Sequence, residues 1–171
     1  MKSPGHVWLL GLSGSGKSTL GPILARKLGI PFADTDQLIS HATGCSISEI
    51  FLKEGEKEFR QHEARVLAEV AAGKPSVISC GGGIILDPSN RKTMARTGTR
   101  VYLQVALPIL IARLTPSADR PLLPKNQRSV LLARQLSERE TWYAESEIKI
   151  EAGSGTPEET ACRILDQLPP S

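Results

Sequence analysis

The stretch Gly11-Leu12-Ser13-Gly14-Ser15-Gly16-Lys17-Ser18-Thr19 constrains this chain more than any other, because it fits G-x-x-x-x-G-K-[ST] at every fixed position. Three glycines let the backbone turn tightly, so that successive N–H groups point into one concavity at a helix N-terminus and meet phosphate oxygens there. Gly14, Ser15, Gly16, Ser18 and Thr19 are thus candidate phosphate contacts. Lys17 adds a point charge for the β- and γ-phosphates, and the Ser18 hydroxyl is placed to ligate Mg²⁺. The flanks agree: Val7-Trp8-Leu9-Leu10 is an apolar run of buried-strand length, and Leu20, Ile23, Leu24 and Leu28 recur at helical spacing. Strand, glycine loop and helix in that order point to nucleotide binding, whereas a chance glycine-rich turn needs neither flank.

At 171 residues the chain suits one domain, 1–171, burying roughly 70% of its unfolded surface. Twenty-one Lys and Arg against 18 Asp and Glu give a net charge of +3 with the signs interspersed. That excess is too weak to argue for nucleic acid or an anionic membrane, but it is compatible with anionic small substrates. Cys45, Cys80 and Cys162 are far apart and not in C-x-x-C spacing, so neither a disulfide framework nor a zinc site is indicated, and free thiols suggest the cytosol. No apolar run has the length of a signal segment or a membrane span. The expectation is a soluble, cytoplasmic monomer.

Gly29 and Pro31 end the first helix, and Ile30 to Ala33 reads as a short strand delivering Asp34-Thr35-Asp36. Two carboxylates at i and i+2 on an extended segment project to one side at a strand end, which makes them candidates for metal or hydroxyl contact. Alternatively, one of them caps the following helix. A brief helix carrying Ile47, Ile50, Phe51 and Leu52 precedes a longer one, whose inward stripe is Phe59, Glu63, Val66, Leu67 and Val70. Arg60 lies at the edge of that stripe, either as half of a surface pair with Glu63 or as a cation awaiting an anionic ligand.

Ser76 to Cys80 reads as a strand running into Gly81-Gly82-Gly83, and three glycines followed directly by Ile84-Ile85-Leu86 imply close approach of a ligand to the backbone. Phosphate-loop enzymes commonly end such a strand on an acidic residue that serves the magnesium shell. This strand ends in glycine, so Asp34 is the best available carboxylate. Asp87-Pro88 opens a helix, Arg100 to Val105 is the fourth strand, and Pro108 starts a further helix with Leu110, Ile111 and Leu114. Three prolines between Thr115 and Pro124 exclude regular structure, so 114–125 reads as a lid loop, with Arg120 at its centre placed to reach a phosphate. A long helix then puts Arg139 on an otherwise apolar stripe with Leu132, Leu136 and Tyr143. Glu147 to Ile150 is a last strand, and Thr156-Pro157-Glu158-Glu159 is a capping box that opens the final helix. His6, His41 and His62 form no ligand cluster and read as structural or surface residues.

Five landmarks in order make the chain resemble the shikimate kinase family over essentially its whole length. They are the glycine loop through Ser18, Asp34-Thr35-Asp36, Phe59-Arg60 with Glu63, Gly81-Gly82-Gly83, and Arg120-Pro121-Leu122-Leu123 followed by Arg139 and Tyr143. The resemblance implies an α/β, three-layer P-loop kinase fold, with a central parallel five-stranded sheet flanked by helices, a helical substrate-binding segment over about 34–62 and a lid. It implies transfer of the γ-phosphoryl group of Mg-ATP to the 3-hydroxyl of shikimate, on the route to chorismate. It also assigns parts: Asp34 to the magnesium shell, Asp36 to the substrate hydroxyls and the transferred proton, and Arg60 and Arg139 to the shikimate carboxylate. Glu63 would steady Arg60, the Gly81, Gly82 and Gly83 backbone would contact substrate, Arg120 would close over the phosphates, and Arg113 would lie near the adenine. A gluconate or other small-molecule kinase shares the loop, but has no evident use for Arg60, Arg139 and the glycine triplet together. A GTPase would need an N-K-x-D element, which Pro124-Lys125-Asn126-Gln127 does not supply. In a catalytically silent binding module the phosphate, metal and carboxylate positions need not all be filled, and here they are.

Overall fold

The computed structural model describes residues 5–114 and 127–170. Its centre is one parallel sheet in the order β2-β3-β1-β4-β5, formed by β1 (His6–Leu10), β2 (Phe32–Asp34), β3 (Val77–Ser79), β4 (Gly98–Gln104) and β5 (Ile148–Glu151). The helices between them are α1 (Lys17–Leu28), α2 (Thr35–Thr43), α3 (Ile47–Lys53), α4 (Glu56–Ala71), α5 (Pro88–Thr97), α6 (Leu107–Leu114), α7 (Arg128–Tyr143) and α8 (Pro157–Leu165). β1 is buried along its whole length, as a central strand covered on both faces must be.

Alternation along the strands divides the core. Trp8, Leu10, Ile78 and Tyr102 face one layer with Met94 of α5, Leu110 of α6 and Leu132 and Tyr143 of α7. Val7, Leu9, Val101, Leu103, Ile148 and Ile150 face the other, against Leu20 and Leu24 of α1 and Ala161 and Ile164 of α8. A third, smaller cluster of Ile39, Ile50, Phe59 and Val66 joins α2, α3 and α4. This cluster gives the segment expected at 34–62 an apolar anchor of its own.

α1 and α5, which follow β1 and β3, lie on opposite faces of the sheet although those strands are neighbours. The crevice between their C-terminal ends is therefore a topological switch point, where open parallel sheets bind ligands. The glycine loop leaves β1 there, and the glycine triplet follows β3.

The boundary after β2 differs from expectation for a local reason. β2 ends at Asp34 and α2 begins at Thr35, so Asp36 sits in a first helical turn rather than on an extended segment. The Asp34 side chain takes two backbone N–H groups and nucleates the helix one residue after the strand. In α3 Ile50 is fully buried while Leu52, two positions and about 200° further round, is 85% exposed. The capping boxes at Ser46 and Thr156 and the Asp87 cap with Pro88 behind it are all formed. Among the described residues no helix is long and apolar enough to cross a membrane.

Candidate active site

The loop after β1 takes the shape its glycines permit: Gly11, Gly14 and Gly16 have φ of 148°, 85° and 95°, where a side chain would be strained. Gly16 is the N-cap of α1 and supplies no side-chain cap, the arrangement in which a helix N-terminus can receive an anion. Lys17 folds back into the loop, its Nζ donating to Gly11 O at 2.7 Å, Leu12 O at 3.0 Å and Ser15 Oγ at 3.3 Å. The ammonium group is thereby held beside the concavity.

Asp34 resolves the choice between cap and ligand by using its two oxygens separately. Oδ1 accepts from Asp36 N at 3.0 Å and Gln37 N at 3.2 Å and caps α2, while Oδ2 accepts from Ser18 Oγ at 2.8 Å. Ser79 Oγ of β3 lies 3.3 Å from Ser18 Oγ. A hydroxyl and a carboxylate oxygen at the helix mouth are the hard donors that Mg²⁺ takes in small number, the rest of its octahedron being water and phosphate. The donor set fits that ion.

Opposite this pair, each glycine of the triplet makes room for one or two charged side chains. A Cβ on Gly81 would stand 2.9 Å from Glu63 Oε2 and 3.0 Å from Asp36 Oδ1, a Cβ on Gly82 3.5 Å from Arg139 Nη1, and a Cβ on Gly83 would overlap the Arg60 guanidinium. Four residues from α2, α4 and α7, separated by up to about a hundred positions in sequence, thus converge on three consecutive backbone units. The Gly81 N–H is fixed by Thr35 Oγ1 at 3.0 Å, which ties the triplet to α2.

The Arg60–Glu63 pair is not a surface pair. Glu63 is 1% exposed and accepts from Arg60 Nη1 at 2.8 Å, and its Oε2 is buried without a hydrogen bond. Burial pushes its carboxyl up to about 7, with the Asp36 charge adding to the rise and Arg60 and Arg139 opposing it. Arg139 is itself 8% exposed. Two guanidiniums share this corner with the buried Glu63 carboxyl and with Asp36, and Arg60 also reaches the exposed Glu56 carboxylate at 3.3 Å.

A cavity of about 390 Å³ runs through the site, lined by the loop from Ser13 to Leu20, by Asp34, Asp36, Gly81 and Gly82, and by Arg113, Thr156 and Pro157. Arg113 donates to Gly14 O at 3.0 Å and Ala152 O at 3.3 Å, joining α6 to the phosphate loop and to the end of β5. Thr156, Pro157 and Thr160 on the cavity wall were legible only as a helix start, since nothing in a capping box indicates what its helix faces. Thr35 and Ser79 likewise carry no motif of their own. The expected lid and Arg120 fall within 115–126 and lie outside the described residues. The Arg128 guanidinium hydrogen-bonds the Leu114 carbonyl, so the two ends bordering that segment are joined.

The family model described as Shikimate kinase matches residues 13–169. The chain belongs to the shikimate kinase family. A shikimate kinase of Synechococcus elongatus is 41% identical over 164 residues, covering 95% of this chain and 86% of that one. One from Cereibacter sphaeroides is 38% identical over 162 residues, covering 95% and 81%. The solved shikimate kinase from Acinetobacter baumannii in complex with shikimate superposes with a TM-score of 0.93 at 35% identity, over 96% of this chain and 93% of that one. As a shikimate kinase family member the chain is an ATP-dependent kinase of an alcohol group, forming shikimate 3-phosphate and ADP on the route to chorismate. The five-stranded parallel sheet flanked by helices is the fold that the resemblance implied.

Proposed function

We propose that this site performs the family's reaction with the parts just described, in a single-domain, cytoplasmic monomer that uses Mg-ATP and shikimate and has no nucleic-acid or membrane partner. The observation that carries the assignment is the glycine triplet: Gly81 lies against Asp36 and Glu63, Gly82 against Arg139 and Gly83 against Arg60. A backbone cleared in this way, with two cations and the carboxylates of Asp36 and Glu63 beside it, suits a small hydroxylated acid.

In this reading the N–H groups from Gly14 to Thr19 and the Lys17 ammonium hold the β- and γ-phosphates at the mouth of α1. Ser18 and Asp34 would hold Mg²⁺, which when bound neutralises charge on the phosphate oxygens. Arg113, with Pro157 also on the cavity wall, borders the adenine, and Arg120 closes over the phosphates. Arg60 and Arg139 take the shikimate carboxylate, and Glu63 orients Arg60. This places the ring so that the 3-hydroxyl meets Asp36. The oxygen forms its bond to phosphorus while the bond to the ADP oxygen breaks, and the hydroxyl proton passes to Asp36. Catalysis in such transfers is positioning plus charge stabilisation, which is what these residues supply.

Coupled measurement of ADP release with shikimate, and in parallel with gluconate, tests the reading. Shikimate-dependent turnover with none on gluconate is expected; turnover on gluconate alone overturns it.

A further inference from the structure

Tyr143 is 0% exposed on the last turn of α7, one turn beyond Arg139. Its hydroxyl donates to the carbonyl of Gly82 at 2.5 Å, across 61 residues of sequence. Gly82 is the middle of the triplet and faces two ways: its Cβ position lies 3.5 Å from Arg139 Nη1 and also 3.5 Å from Gly11 O of the phosphate loop. The Tyr143 ring stacks on Tyr102 of β4, with centroids 4.9 Å apart and planes 14° from parallel. Tyr102 in turn donates its hydroxyl to Glu140 Oε2 at 2.7 Å. The end of α7 is thus clamped to the sheet by one ring pair and to the glycine triplet by one hydroxyl. Burial raises the Tyr143 phenol well above its ordinary range, against the opposing effect of the neighbouring Arg139 guanidinium, so it stays protonated and donates.

We propose that Tyr143 is a positioning residue for the acceptor: by holding the Gly82 carbonyl it fixes the separation between the triplet backbone and the Arg139 guanidinium, and with it the seat of the substrate carboxylate. The inference rests on the acceptor reading above and extends it to a residue that touches no substrate. Its energetic content lies in the hydroxyl alone, because the ring's packing against Tyr102 is independent of it.

The test compares Tyr143→Phe with Tyr102→Phe in the full-length protein. Each keeps its ring and loses a buried hydroxyl that ties α7 to its surroundings, but only the first releases Gly82 and removes the hydroxyl that interacts with Arg139. Tyr143→Phe is expected to raise the shikimate KM five- to twenty-fold, leaving the ATP KM within two-fold and kcat within three-fold. Tyr102→Phe should leave both KM values within two-fold. In an Arg139→Ala background the Tyr143→Phe change should add less than two-fold, since the guanidinium it positions is gone. A purely structural role would lower the melting temperature and the active fraction while leaving the shikimate KM in place. A shikimate KM within two-fold of the parent, equal rises in both KM values, the same rise from Tyr102→Phe, or full additivity with Arg139→Ala overturns the proposal. Absence of shikimate turnover in the parent protein would instead refute the acceptor reading on which it rests.

Discussion

Glu63→Gln should abolish a pH dependence that one buried carboxyl imposes on the whole fold. The substitution keeps the shape and the oxygen that Arg60 Nη1 reaches at 2.8 Å, and removes only the titration. Glu63 is 1% exposed and its pKa is raised from 4.5 to about 7, chiefly by burial. Such a rise corresponds to about 3 kcal/mol of preference for the protonated form in the native state. Because the native state binds this proton more tightly than the unfolded chain, the contribution is fully present below pH 4.5 and is lost as the pH rises through about 7. Urea unfolding of both proteins at intervals from pH 5 to 8.5 reads it directly. The parent should lose about 3 kcal/mol relative to Glu63→Gln across that window and run parallel to it above. The shikimate KM of the parent should rise over the same interval, as ionised Glu63 competes with the substrate carboxylate for Arg60, and the variant's should stay flat. Parallel stability curves throughout would refute the reasoning, since they would mean that Arg60 and Arg139 fully offset the desolvation of Glu63.

Three further outcomes follow from the same geometry. Arg139→Ala should raise the shikimate KM by about two orders of magnitude with ATP affinity nearly intact, because a desolvated charge pair with a carboxylate contributes about 3 kcal/mol; matching losses for both ligands in calorimetric titration would sink the assignment. Gly83→Ala places a Cβ into the Arg60 guanidinium and should raise the shikimate KM at least about ten-fold, whereas an unchanged KM would show that Arg60 does not need its present position. Ser18→Ala removes the hydroxyl that reaches Asp34 Oδ2 at 2.8 Å and should shift the Mg²⁺ dependence of turnover about ten-fold upward. Ser79→Ala, whose oxygen stands 3.3 Å from Ser18 Oγ, is the comparison and should move it less.

Sequence alone determined the phosphate end of this protein, because a helix N-terminus that binds an anion is built from consecutive residues. Gly11, Gly14 and Gly16 supply the positive φ values, and Lys17 and Ser18 follow in the first turn of α1, so spacing was sufficient. The strands were legible for a similar reason: β1 is buried along its whole length and reads as an apolar run, and β4 carries a buried Val101-Tyr102-Leu103 core between polar flanks. Asp34 was legible as cap or ligand but not as both, since only the Ser18 contact shows its second oxygen in use.

The acceptor end is a different kind of object. Glu63, Arg60, Asp36 and Arg139 stand on three helices, and a lone Arg–Glu spacing on α4 is equally compatible with a solvated pair. What decided between the readings was burial: the sheet order brings β3 beside β1 and sets the glycine triplet under α2, α4 and α7, so that Glu63 loses its water and its carboxyl rises to about 7. The helical stripe turns Glu63 inward, but no local pattern names the charges it meets there, because charge proximity belongs to packed neighbours. The hydrogen bond from Tyr143 to Gly82 is of the same kind. In sequence Tyr143 is a landmark that follows Arg139 on a helical stripe, with no part assigned to its hydroxyl; only the tertiary structure gives that hydroxyl a partner.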